Sequence, residues 1–208
     1  MATEEEQDYL IAFANNYFEQ DISRGDVVWT YSGVRPLYDD GAKSATAATR
    51  DYVLSLDLAG PALLSIFGGK ITTFRKLAEN VMHKLQPQIG GGSDWTANVA
   101  LPGGDFEVED VAKKIQNLQM LYPFLSEAWA TRLIRAYGTD AELILGDATT
   151  VESLGVNFGA TLTEAEVLWL MTKEYARTAE DVLWRRSKLG LRFEPSQVAA
   201  LEAFMQAA

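Results

Sequence analysis

The sequence predicts an α+β chain, a small mixed α/β piece followed by an all-α domain. Three observations carry that prediction. Residues 26–67 are rich in β-branched and aromatic positions, and the stretch beyond 104 places apolar residues at helical spacing almost throughout. Between them QPQIGGGSD (86–94) holds the densest glycine run in the chain. The boundary is therefore set between 92 and 93, giving units 1–92 and 93–208.

The first helix is expected over 3–18. Thr3 stands at its N-cap with Glu6 at capping-box spacing, and Leu10, Phe13, Ala14 and Tyr17 share one face. DVVWTYSGVRPLYDD (26–40) then reads as a strand entering a loop. RDYVLSLD (50–57) alternates and reads as a second strand; Gly60-Pro61 turns the chain into a short buried third strand, ALLSIF (62–67). A glycine pair leads into an amphipathic helix over 68–85, with Ile71, Phe74, Leu77, Ala78, Val81, Met82 and Leu85 inward and Arg75, Lys76, Glu79, Asn80 and His83 outward. Helices are expected over 107–120, 124–137, 139–146, 163–175, 178–188 and 195–207. Three of them open with capping-box pairs: Thr139/Glu142, Thr163/Glu166 and Thr178/Asp181.

The 208 residues are 48% hydrophobic and 11% aromatic, enough for a packed core and incompatible with a disordered or collagen-like chain. The net charge is −11, of which −7 falls after residue 92, so a general nucleic-acid footprint is not expected. The absence of Cys excludes disulfides, thiolate metal sites and cysteine nucleophiles; one His, His83, leaves no triad with spare parts. The Asp39-Asp40 pair lacks further ligands, so no metal site is expected. Trp29, Trp95, Trp129, Trp169 and Trp184 are scattered, which suits core positions better than a stacking platform. Arg185-Arg186-Ser187-Lys188 forms a basic patch at a helix C-terminus, where the helix dipole favours it.

The strand, Gly68-Gly69 and helix unit invites a nucleotide reading, but the familiar patterns fail. Leu63 and Leu64 stand where a phosphate loop needs its first glycine, and Ile71 follows Lys70. Gly90-Gly91-Gly92 has Trp95 in place of the last glycine of a dinucleotide fingerprint. What remains is a helix start with Lys70, Thr72 and Thr73, suited either to a tight turn or to an anion or carbonyl oxygen. Arg35, Arg50 and Lys70, at strand ends and on that turn, read either as solvated cations or as a phosphate-monoester site.

Six strings in order are more specific: VVWTYSGVRPLYDD (27–40), ATRDY (48–52), LLSIFGGKITTFRKLAE (63–79), LPGG (101–104), LTEAEV (162–167) and ARTAEDVLWRRSKLGLR (176–192). Together, over about residues 4–193, they closely resemble the FAD-dependent glycerol-3-phosphate dehydrogenase family of the aerobic, quinone-linked bacterial type, which belongs to the D-amino-acid oxidase-like flavoproteins. The resemblance implies that 1–92 is the C-terminal part of the FAD/substrate domain and 93–208 a helical cap. It also implies a missing N-terminal half that carries the G-x-G-x-x-G unit for FAD. A naturally short paralogue fits less well, because its first strands would lack sheet partners.

Residue by residue, the resemblance makes Gly33, Val34 and Arg35 the G-x-R-P element whose arginine reaches the substrate beside the flavin. Arg35, Arg50 and Lys70 are the substrate cations, with Arg35 also assisting catalysis. Gly33, Val34, Gly68, Gly69, Lys70, Ile71 and Thr72 are the flavin contacts. The implied reaction oxidises sn-glycerol 3-phosphate to dihydroxyacetone phosphate, with hydride passing to FAD and electrons on to quinone. His83 is misplaced for a general base, so that role falls to the missing half. The isolated chain is expected to bind no FAD, to be inactive, and to expose an apolar face around 27–37 and 61–72. Packing of the helical cap on the flavoprotein body or dimer contacts through it, a cytoplasmic location and peripheral attachment at the inner face of the cytoplasmic membrane are further expectations. Two alternatives remain: a helical protein-interaction module, and part of a glycerol-3-phosphate oxidase using oxygen.

Overall fold

A computed structural model describes residues 2–34, 38 and 50–208. Contacts divide the chain into two compact units, Met1–Val99 and Ala100–Ala208.

In the first unit, α1 (Glu4–Asn15) begins as its sequence dictates. Glu6 N–H donates to the Thr3 hydroxyl at 3.2 Å and Thr3 N–H donates to the Glu6 carboxylate at 2.8 Å. The helix stops three residues short of the expected end. There the Asn15 amide closes the following loop, accepting from Ile22 N–H and donating to Ile22 C=O, both at 3.0 Å. Residues 27–34 form no strand, and the described strand pairing of this unit is one hairpin alone. That hairpin pairs β1 (Val53–Asp57) with β2 (Leu63–Phe67) antiparallel, Val53 opposite Phe67 and Asp57 opposite Leu63. The Asp57 carboxylate starts its turn by accepting from Ala59 N–H at 2.8 Å. A 3₁₀ turn at Ile71–Thr73 leads into α2 (Phe74–Ile89), which ends at Gly90 with φ 72°.

Burial in this unit departs from expectation. β2 is not buried: Leu63 is 61% exposed and Ile66 and Phe67 are exposed as well. The inward face of α2 is half bare, with Ile71 88% exposed and Phe74 and Met82 also exposed. Among the described residues of Met1–Val99, Glu79 alone is buried.

The second unit contains α3 (Val111–Leu121), α4 (Glu127–Tyr137), α5 (Ala141–Leu145), β3 (Asn157–Gly159), β4 (Leu162–Thr163), α6 (Glu164–Lys173) and α7 (Pro195–Ala207). A π-helical turn at Asp181–Arg186 and a 3₁₀ turn at Leu189–Arg192 lie before α7. Leu118, Leu133, Leu162, Leu170, Leu183 and Leu201, one from each of six elements, are fully buried and form the centre of the core. Trp129 is buried, but Trp95, expected in a core, is 71% exposed.

The all-α expectation for this unit is corrected by the β3–β4 hairpin. Its two-residue turn, Ala160-Thr161, has φ 46° and 69°, the primed geometry that matches strand twist. Neither residue is the Gly or Asn that signals such a turn. Arg132 holds it from outside, its Nε donating to the Thr161 hydroxyl and Nη2 to Thr161 C=O, both at 2.9 Å.

Of the three capping pairs, Thr178/Asp181 forms: Thr178 N–H donates to the Asp181 carboxylate at 3.0 Å and Asp181 N–H to the Thr178 hydroxyl at 3.2 Å. Thr139 instead donates to Asp105 at 2.8 Å, and Glu166 is drawn into the core. The segment after Thr178 winds as a π turn rather than an α-helix; Ser187 N–H donates to Val182 C=O at 3.1 Å, five residues back. The LPGG segment docks on the end of α4. A Cβ on Gly103 (φ 73°) would lie 2.1 Å from Tyr137 O, and one on Gly138 (φ 57°) 1.8 Å from Gly103 O.

Glu166 is the buried charge of this unit. Arg132 grips it with two bonds, at 2.6 and 2.7 Å, and the Tyr137 hydroxyl donates to Oε1 at 2.7 Å. Burial, and then the adjacent Glu166 carboxylate, hold the Tyr137 phenol far above its ordinary range. Arg132→Ala would strand that carboxylate. It is expected to lower the unfolding free energy by about 3–5 kcal/mol, measured by urea unfolding followed through Trp fluorescence. Ala160→Gly should do the reverse by about 1 kcal/mol, since it removes one strained left-handed residue.

Candidate functional site

Five of the sequence-predicted site residues, Gly68, Gly69, Lys70, Ile71 and Thr72, form the turn between β2 and α2. Gly68 and Gly69 have φ 67° and 102°, a region open to glycine, and a Cβ on Gly69 would sit 3.4 Å from the Tyr52 side chain. Lys70 follows at the N-cap of the 3₁₀ turn, where Thr73 donates to its carbonyl from N–H at 3.0 Å and from Oγ1 at 2.9 Å. Ile71 and Thr72 are exposed at the start of the helix, where unsatisfied N–H groups give a partial positive charge.

Lys70 Nζ lies 3.8 Å from Asp51 Oδ1, and Arg50 is exposed one residue away. An exposed ion pair of this length contributes little, so the ammonium is free to turn to another anion at small cost. Asn80 Nδ2 donates to the Tyr52 hydroxyl at 2.5 Å, which ties α2 to the start of β1. The structure thus gathers Asp51, Tyr52, Gly68, Gly69 and Lys70 at one end of the hairpin. Arg35 lies outside the described residues, as do Asp39 and Asp40. Gly33 and Val34 are exposed, Val34 at 95%, with no described contact to the turn. Sequence reasoning missed Tyr52 and Asn80. The outward position of Asn80 on α2, facing an aromatic at a strand start, was the available signal.

Further along α2, Glu79 corrects another expectation. Placed on the solvent face by periodicity, it is 5% exposed, because its neighbours fold over it. Lys76 and Arg75 reach its two oxygens at 2.7 Å each, and the Thr96 hydroxyl donates to it at 2.6 Å. The Lys76 ammonium and then the Thr96 hydroxyl lower its pKa from 4.5 to about 2. His83 lies on the exposed side of the helix, its Nε2 2.8 Å from Asp94 Oδ1. Glu79, His83, Asp94 and Trp95 line a cleft of about 430 Å³. None of these groups faces the Gly68-Gly69 turn through a described contact, and no cluster of three or more candidate metal ligands occurs among the described residues.

Residues 95–208 match the family described as the C-terminal domain of alpha-glycerophosphate oxidase. The chain belongs to this family. Over 207 residues it is 46% identical to an aerobic glycerol-3-phosphate dehydrogenase of Escherichia coli, covering 97% of this chain and 41% of the relative. It is 45% identical to a D-erythritol 1-phosphate dehydrogenase of Brucella abortus, with 96% and 40% covered. Identity to a glycerol-3-phosphate dehydrogenase of Pseudomonas aeruginosa is 42%, with 98% and 40% covered. The chain therefore spans about two fifths of the length of these curated relatives.

The Glu79 cluster gives a pH-dependent prediction. A carboxyl with a depressed folded-state pKa stabilises the fold above its unfolded value and loses that contribution as pH falls through the folded value. Acid titration followed by hydrogen exchange of α2 amides should show protection lost between pH 4.5 and about 2. Glu79→Gln should abolish that step, leaving α2 less protected at neutral pH.

Proposed function

We propose that this chain is the substrate-side part of an FAD-dependent enzyme that oxidises sn-glycerol 3-phosphate to dihydroxyacetone phosphate. The observation that carries this reading is the contrast between the units. The helical unit has a buried leucine core, whereas among the described residues of Met1–Val99 no apolar side chain is buried. Val28, Tyr31, Val34, Leu63, Ile66 and Ile71 are exposed within the two stretches expected to be bare. An isolated domain of this composition would bury such residues, so their exposure supports a larger flavoprotein body against which they pack. The names of the relatives supply the reaction class.

The residues at the turn fit a flavin edge. Gly69 leaves its backbone uncovered beside exposed Ile71 and Thr72, and the helix start offers N–H groups to a carbonyl oxygen. In this reading Gly33, Val34, Gly68, Gly69, Lys70, Ile71 and Thr72 hold that edge. When bound, FAD supplies the hydride acceptor and the route for electrons to quinone. Arg50 and Lys70 hold the substrate phosphate, and Arg35 orients the C2 hydroxyl and favours loss of its proton. The C2 hydrogen leaves with its electron pair as the hydroxyl proton passes to a base outside this chain. The helical unit caps the body and makes dimer contacts, and the enzyme sits peripherally at the inner face of the cytoplasmic membrane. A second substrate reading, D-erythritol 1-phosphate, is favoured by the Brucella relative at 45% identity; it too is a polyol carrying one phosphate.

The 208-residue chain, incubated with FAD, is expected to lose the flavin on gel filtration and to reduce no artificial acceptor with glycerol 3-phosphate. The longer protein should retain flavin and turn over, with Lys70→Met raising KM for the phosphorylated polyol about tenfold and leaving the melting temperature unchanged. Flavin retained by this chain alone overturns the division of labour. Faster turnover of D-erythritol 1-phosphate replaces the substrate.

A further inference from the structure

The helical unit Ala100–Ala208 carries ten Lys and Arg against sixteen Asp and Glu. One groove inverts that balance. Its volume is about 1010 Å³, and it is lined by Arg132, Arg135, Arg186, Lys188 and Arg192 with a single acid, Glu127. Half of the unit's cations thus line a groove with one acid in its wall, while behind that wall Arg132 pairs with Glu166 and Arg186 with Glu174. Such a concentration of one sign in a concave, low-dielectric surface focuses a positive potential.

Structural duties account for only part of the set. Arg132 is committed to Glu166 and Thr161. Arg186 Nε donates to Glu174 C=O at 2.9 Å, and Lys188 Nζ donates to Trp184 C=O. Arg135 and Arg192 are exposed and form no ion pair or hydrogen bond among the described residues. They come from α4 and from the 3₁₀ turn, elements far apart in sequence that tertiary packing brings to one groove. The floor is partly apolar, with buried Leu189 and exposed Leu191 among its lining. The π turn ends at Arg186, at the groove, and such turns recur at functional sites.

We propose that this groove binds a phosphate-bearing anion with an apolar body, of nucleotide size. Guanidinium groups hold phosphate oxygens in pairs, and a phosphate offers several cations more charge and more acceptor oxygens than one carboxylate does. The volume lies at the upper end of the range for small-molecule pockets and exceeds what one inorganic phosphate fills. The same chemistry is offered by a soluble nucleotide and by an anionic lipid headgroup.

Titration calorimetry of the chain with ADP at low salt is expected to show saturable binding, with inorganic phosphate weaker. Arg135→Gln/Arg192→Gln should weaken ADP about tenfold or more without moving the melting temperature. Lys113→Gln/Arg177→Gln, an equal loss of charge outside the groove, should leave binding unchanged. If ADP does not bind but phosphatidylglycerol vesicles capture the chain, phosphatidylcholine vesicles do not, and the groove variant alone abolishes capture, the phosphate is that of a headgroup. Binding to neither ADP nor vesicles overturns the proposal, as does equal weakening by both double variants.

Discussion

Glu166 has almost no access to water, and three elements of the helical unit are arranged around that fact. Its carboxylate sits on α6, its guanidinium partner Arg132 and its hydroxyl partner Tyr137 sit on α4, and the remaining donors of Arg132 fasten the strained Thr161 turn. A buried charge is tolerated only when its oxygens are saturated, so α4, α6 and the hairpin cannot slide independently. The leucines of the surrounding elements are the most numerous of the buried apolar side chains around this cluster.

The first unit solves its problem differently. Its interactions are polar clamps: Arg24 on Glu4 and Asp8 and Asn15 on Ile22 at the surface, and Lys76, Arg75 and Thr96 on the buried Glu79. Exposed clamps orient segments but contribute modestly to stability. The apolar side chains that would ordinarily do that work face outwards here. Local order in this unit coexists with an uncovered apolar surface, and the Gly68-Gly69 turn lies beside exposed Ile71 and Phe67.

Legibility followed the range of the interactions. The capping box at Thr3 and Glu6 and the β1–β2 hairpin were readable because their causes lie within a few residues. The reading failed where a distant partner decided. Thr163/Glu166 has capping spacing, yet Arg132, more than thirty residues away, takes the carboxylate. Glu79 has outward periodicity, yet Thr96 closes over it. The primed turn at Ala160-Thr161 had no local signal, because Arg132 rather than glycine makes it tolerable. At the candidate site, Gly68, Gly69 and Lys70 were legible as a turn before a helix, while the Tyr52–Asn80 link needed both strand and helix in place.

By itself the sequence determined the α+β class, the position of most helices and, through six ordered strings, the family. These depend on local propensity and on residue order, which the chain carries without folding. Tertiary structure decided which charges are buried, which apolar residues are left bare, and that cations from residues 132 to 192 share one groove. Those outcomes depend on solvent exclusion and on approach between distant segments, and neither exists until the chain has packed.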